Sequence, residues 1–146
     1  MKTEIKRFKE LSLLDLYKSL SLRNQVFIVE QNCVYQDIDG YDEEAMHVML
    51  YENDDLVAYA RIFDKGIKYK TASIGRVVVS PEKRNLNLGH VLVNASIQAI
   101  HENFETEEIT ISAQEHLQKF YAAHGFVTTS DMYLEDDIPH VQMEIK

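Results

Sequence analysis

The sequence predicts a three-layer α/β domain, α+β by some schemes, built around a mixed sheet. Three observations point there. Apolar residues recur at helical spacing over 11–30 and again over 89–103, and the runs between them are short and strand-like. Turn residues punctuate those runs at Asn53-Asp54-Asp55, Pro81, Gly125 and Asp136-Asp137. The resulting order is helix, hairpin, strand, helix, strand, helix and two closing strands, which a layered domain with a mixed sheet accommodates.

Each element has its own signal. Leu11, Leu14, Leu16 and Leu20, then Val26 and Phe27, predict one or two helices over 11–30. Residues 36–42, Gln-Asp-Ile-Asp-Gly-Tyr-Asp, form a polar loop. Ala45 to Glu52 and Leu56 to Asp64 are two strands, and Asn53-Asp54-Asp55 joins them as a hairpin. Ala72 to Ser80 is apolar on both faces and is therefore expected in the middle of the sheet. A helix follows from Gly89 to about Asn103, then a strand from Glu108 to Ser112. Gln114 to Ala123 predicts a short helix that stops at His124-Gly125. From Phe126 onward, two closing strands flank Asp136-Asp137-Ile138-Pro139.

With 146 residues, 45% of them hydrophobic, the chain is expected to be one domain over 1–146. A formal charge of −9 argues against nucleic acid, which needs a basic face. No run approaches the ~20 apolar residues of a membrane span, and the N-terminus carries no signal-peptide pattern. Cys33 is the lone cysteine, so no internal disulfide can form, and a cytoplasmic protein is expected. No metal is expected. The Asp37-x-Asp39-Gly40-x-Asp42 loop departs from the EF-hand pattern, and no Cys/His spacing suits zinc.

The most informative stretch runs from Ile74 to His90. It reads as a buried strand, a proline stop at Pro81, a basic turn with Lys83 and Arg84, and a helix start at Gly89. Such a helix leaves its first N–H groups unpaired and pointing outward. With the dipole and the nearby cations they form an anion site able to hold a pyrophosphate. The turn is neither a P-loop nor a Gly-x-Gly-x-x-Gly loop. Farther on, Gln114 and Tyr121 are seven residues apart, ~20° in helical direction, and would share a face beside Leu117. Spacing alone reads equally as an amphipathic helix that buries an aromatic.

These segments resemble the GNAT superfamily of acyl-CoA-dependent N-acetyltransferases. Val77-Val78-Val79 followed by Arg84-x-x-Asn87-x-Gly89 is similar to its pyrophosphate motif, and Phe120-Tyr121-x-x-x-Gly125-Phe126 to its tyrosine motif. Four further blocks resemble the ElaA-like branch. They are Val26-Phe27-x-Val29-Glu30-Gln31, Cys33-x-Tyr35-x-Asp37-x-Asp39-Gly40-x-Asp42, Ile111-Ser112-Ala113-Gln114 and Tyr133-Leu134-Glu135-Asp136-x-Ile138-Pro139-His140. Asn85 and Asn87 stand where the family usually has glycine, and Asn is the non-glycine residue most tolerant of positive φ.

The resemblance implies acetyl-CoA as cosubstrate, lying where the strands at Val77–Val79 and Ile109–Ser112 splay apart. Backbone groups on Val77, Val78 and Val79 would pair with the pantetheine arm and polarise the thioester carbonyl. Amides of Arg84, Asn85, Leu86, Asn87, Leu88, Gly89 and His90 would hold the pyrophosphate. Tyr121 would protonate the leaving thiolate, with Gln114 and Leu117 beside it. Glu30, His47, Glu135 and His140 are candidates for the base or for acceptor contacts. His47 shares a strand face with Ala45, Met49 and Tyr51 and reads equally as a packed core histidine. Acidic residues near the mouth (Glu30, Asp37, Asp39, Asp42, Glu135) favour a cationic amine acceptor. A non-catalytic acyl-CoA sensor or interaction module is the alternative, since it would need the turn but not Tyr121. The closing strands could pair across a homodimer axis or finish a monomer's sheet.

Overall fold

A computed structural model describes residues 1–146 apart from Asn85 and Leu86. The first helix, α1 (Leu13–Arg23), starts at a reciprocal cap. Asp15 N–H donates to Ser12 Oγ at 2.9 Å, and Ser12 N–H donates to Asp15 Oδ2 at 3.0 Å. The helix runs directly into a wider, π-helical turn at Asn24–Glu30. The one or two helices expected over 11–30 are thus one continuous rod with a change of winding.

Strands β2 (Met46–Glu52) and β3 (Asp55–Phe63) form the expected hairpin, and Asn53 at its tip has φ 55°. Next come β4 (Ala72–Val79), helix α2 (Leu88–Phe104) and β5 (Ile109–Gln114). A 3-10 turn leads into the short α3 (Gln118–Ala122). The chain closes with β6 (Val127–Thr128), β7 (Tyr133–Glu135) and β8 (Ile138–Ile145). The β7–β8 turn is tight, with Asp136 and Asp137 both at positive φ. One strand was not expected. β1 (Lys2–Arg7) pairs antiparallel with β2 at the sheet edge. Its sequence, Lys-Thr-Glu-Ile-Lys-Arg, carries a single apolar residue, and a charged edge strand gives no hydrophobic signal.

The sheet order is β1-β2-β3-β4-β5-β8-β6, with β7 also paired to β8. β4 sits in the middle, as its apolar faces predict. Alternate residues build two cores. Val48 and Leu50 pack with Leu92, Val93 and Ile100 of α2, while Met49, Tyr51 and Tyr59 pack with Leu22 and Val26 of the first rod. Tyr121 and Phe126 join the α2 side. Helices therefore cover both faces.

Two irregularities shape the middle of the sheet. β4 and β5 run parallel, but their pairing consists of Ala72 with Ile109 and Ser73 with Thr110 only. Beyond that β5 follows β8, from Ile109 opposite Ile145 to Gln114 opposite His140, and the two parallel strands part. The second is a bulge. Tyr59 faces Val78 and Arg61 faces Gly75, so three steps on β4 oppose two on β3. Arg76 lies inside it at φ 51°.

Candidate active site

The parting strands open a cleft of about 470 Å³, lined by Val77 of β4, Gln114 and Leu117 at the end of β5, and Tyr121 of α3. Glu135 and His140 from β7 and β8 line it as well. One wall is an unpaired strand edge. Ser80 N–H donates to Val57 O at 2.8 Å, toward β3. Strand amides alternate sides, so Val79 and Val77 turn theirs the other way, to where β5 has departed.

Gln114 corrects the sequence expectation. It is the last residue of β5 rather than the first of a helix, and the turn after it is 3-10. Pairing with His140 on β8 outweighs the local helical pattern. Gln114 still reaches the cleft beside Tyr121, through strand geometry instead of a shared helix face. The Tyr121 phenol is 7% exposed, and no hydrogen-bond partner for its hydroxyl occurs among the described residues. Burial pushes its pKa well above the usual tyrosine value, so the proton stays on oxygen at neutral pH.

The basic turn lies beyond this lining. Asn87 caps α2 at φ 59°, the left-handed conformation its residue type permits, and its carbonyl accepts from Val91 N–H. The amides at Leu88, Gly89 and His90 are therefore in the first turn of a 17-residue helix. Gly89 has a packing reason. A Cβ there would lie 3.2 Å from two ring carbons of Phe120. The His90 ring lies 4.6 Å from that of Phe120, and its Nδ1 is 2.9 Å from His124 Nε2. Arg84 is engaged by Glu30. Nη1 donates to Glu30 Oε2 at 2.9 Å and Nη2 donates to Oε1, a two-pronged exposed pair. The expected contacts of Asn85 and Leu86 lie outside the described residues.

Of the base candidates, two meet in the cleft. Glu135 Oε1 accepts from Ser112 Oγ at 3.1 Å, and Glu135 Oε2 is 3.4 Å from His140 Nε2. His140 Nδ1 is 2.7 Å from the Ile138 carbonyl, which can only accept, so Nδ1 carries the proton. Nε2, the other ring nitrogen, is the one turned toward the Glu135 carboxylate. His47 is a correction. It is 1% exposed, with Nε2 donating to Asp42 O at 2.9 Å and Nδ1 accepting from Tyr59 hydroxyl at 2.6 Å. Burial lowers its pKa and holds it neutral. It lies on the α1 side of the sheet and serves as a core histidine.

The acidic loop is the larger correction. Asp37, Asp39 and Asp42 do not form a negative mouth; arginines take them up. Arg23 Nε donates to Asp37 at 3.0 Å and its Nη1 to Asp42 at 2.8 Å. Arg61 Nη1 donates to Asp39 at 2.8 Å and to Asp42 at 2.9 Å. Arg76 Nε is 2.7 Å from Asp37 Oδ1, a charge contact whose N–H is not aimed at the oxygen. Burial alone would raise the Asp39 and Asp42 pKa values. The arginine bonds outweigh it and hold both below the usual carboxylate range. The arginines had a readable signal, since Arg61 interrupts a strand that is otherwise apolar from Leu56 to Phe63, and a buried charge must be paired.

Comparison with known proteins now decides the family. Residues 14–146 match the family described as "Acetyltransferase (GNAT) domain". The chain belongs to the GNAT acetyltransferase family. Protein ElaA of Escherichia coli (strain K12) is 42% identical over 136 residues, 92% of this chain and 89% of that protein. The crystal structure of Escherichia coli ElaA superposes with a TM-score of 0.93 at 39% identity, covering 100% of both chains. An acyl-CoA N-acyltransferase from Pseudomonas aeruginosa superposes with a TM-score of 0.94, also at 39% identity and full coverage. Within GNAT, then, the chain is ElaA-like, and the split between β4 and β5 belongs to a GNAT fold.

Proposed function

We propose that the chain transfers an acetyl group from acetyl-CoA directly to a primary amine. The observation that carries this reading is the cleft itself. An unpaired strand edge, a protonated and unpartnered phenol and an adjacent Glu135–His140 pair line one cavity in a GNAT fold. The pantetheine arm adds to the edge of β4 through the amides of Val77 and Val79, and the pyrophosphate meets the first turn of α2. The amine nitrogen attacks the thioester carbon. The C–N bond forms, the C–S bond breaks, and Tyr121 gives its proton to the thiolate. The proton shed by the amine goes to the Glu135–His140 pair. Arg84 meets the pyrophosphate by exchanging Glu30 for phosphate.

The test is CoA release, followed as free thiol, over a panel of amines. Tyr121→Phe should lower kcat by about 10²-fold or more, with acetyl-CoA affinity and melting temperature unchanged. Undiminished kcat in Tyr121→Phe removes the acid role. Acetyl-CoA binding without turnover in the wild type would favour the sensor over the enzyme.

A further inference from the structure

The cations that reach Asp37, Asp39 and Asp42 outnumber these three carboxylates by one. Asp37, Asp39 and Asp42 are matched by Arg23, Arg61 and Arg76. A fourth cation, Lys68, faces the same cleft. Its Nζ is 3.9 Å from Asp39 Oδ2, too far for a hydrogen bond, and that oxygen already accepts from Arg61 and lies 3.5 Å from Arg76 Nη2. Among the described residues no acceptor bonds the Lys68 ammonium, which instead rests 3.9 Å over the Tyr41 ring. Arg61, 1% exposed and also lining the cleft, has an Nε with no partner among the described residues. Burial holds the Lys68 pKa below its ordinary value; Asp39 and, less, Glu135 oppose it incompletely, while Arg61 and Arg76 add to it. Each of these is what a missing counter-ion would leave behind.

The same cleft also holds a basic-acceptor pair, the Glu135 carboxylate beside His140 and close to Ser112. We propose that the acceptor is an amine that also carries a carboxylate, a free amino acid being the simplest case. Its amine points to Glu135 and His140, and its carboxylate completes Lys68 and Arg61. The proposal rests on the transferase reading and narrows it. A polyamine fits poorly, because a second ammonium set beside Lys68 would meet a like charge.

Two measurements test it. Calorimetry first asks whether the wild type binds acetyl-CoA. CoA release is then measured with the twenty amino acids, their carboxamides, and the diamine putrescine. At least one amino acid should exceed its carboxamide in kcat/KM by about tenfold or more, since a bond to a charged group is at stake. Lys68→Gln should erase most of that preference, chiefly through KM, while Lys70→Gln, in the same loop, keeps it. Equal or better turnover of carboxamides or putrescine overturns the proposal and leaves the transferase standing. Acetyl-CoA binding with no amino acid acetylated overturns the proposal too. Failure to bind acetyl-CoA overturns the transferase reading and this one with it.

Discussion

Removing the Asp42 carboxylate should cost the fold far more than removing any exposed acid. Asp42 Oδ1 accepts from both Arg23 and Arg61, at 2.8 and 2.9 Å, and both guanidiniums are 1% exposed. In Asp42→Ala each arginine keeps a partner on its other side, Asp37 for Arg23 and Asp39 for Arg61. Arg23 Nη1 is nevertheless left without an acceptor, Arg61 Nη1 loses one of its two, and one positive charge goes uncompensated. Breaking a buried pair in this way costs about 3–5 kcal/mol. At 2–4 °C per kcal/mol for a chain this size, the melting temperature should fall by roughly 10 °C. Glu30→Ala is the matched comparison. It breaks an equally short arginine pair at 40% exposure, and such pairs contribute about 0–1 kcal/mol. Urea unfolding followed by circular dichroism reads both. A loss under 1 kcal/mol in Asp42→Ala, or an equal loss in the two variants, would refute the claim that burial makes the loop network structural.

Three further outcomes follow from the same geometry. The carboxyls of Asp15, Asp39 and Asp42 are held below their ordinary pKa against the opposing effect of burial. A depressed folded value means stability that is full above the unfolded value near ~4 and lost as pH falls below it. The urea midpoint should therefore drop on acidification below about pH 4, and a midpoint that rises there would contradict the network. Gly89→Ala places a methyl 3.2 Å from a Phe120 ring hemmed in by His90 and Tyr121, so overpacking should outweigh the better helix former. A loss of about 1 kcal/mol is expected, partly restored by Phe120→Leu; a higher melting temperature in Gly89→Ala would show that the ring yields. Glu30→Gln frees Arg84 from its carboxylate and should tighten acetyl-CoA binding by about 2–5-fold in calorimetry, as one exposed pair allows. Weaker binding would place Glu30 among the cofactor's own contacts.

Much of the architecture was legible because it rests on local patterns. The hairpin at Asn53, the central apolar strand and the Asn87 turn each follow from residue type and spacing. β1 was not legible, since an edge strand borrows its order from β2 and needs no apolar pattern of its own. Gln114 was misplaced because Gln114 to Ala123 is locally helical, while the pairing of β5 with β8 depends on residues 26 positions away. Tyr121, Gln114, Leu117, Glu135 and His140 line one cleft, and the sequence blocks that single them out are short and continuous. The charge balance of the acidic loop was misread because its partners, Arg23, Arg61 and Arg76, come from three separate elements. Sequence counts charges and does not pair them.

The central claim is that acyl-CoA occupies the split between β4 and β5 with its sulfur at Tyr121. A crystal structure with CoA tests this most directly. The account predicts pantetheine amides bonded to Val77 and Val79, the pyrophosphate on the first turn of α2 with Arg84 released from Glu30, and sulfur within about 3 Å of the Tyr121 hydroxyl or one water away. CoA bound elsewhere, or in the split with its sulfur far from Tyr121, would contradict it.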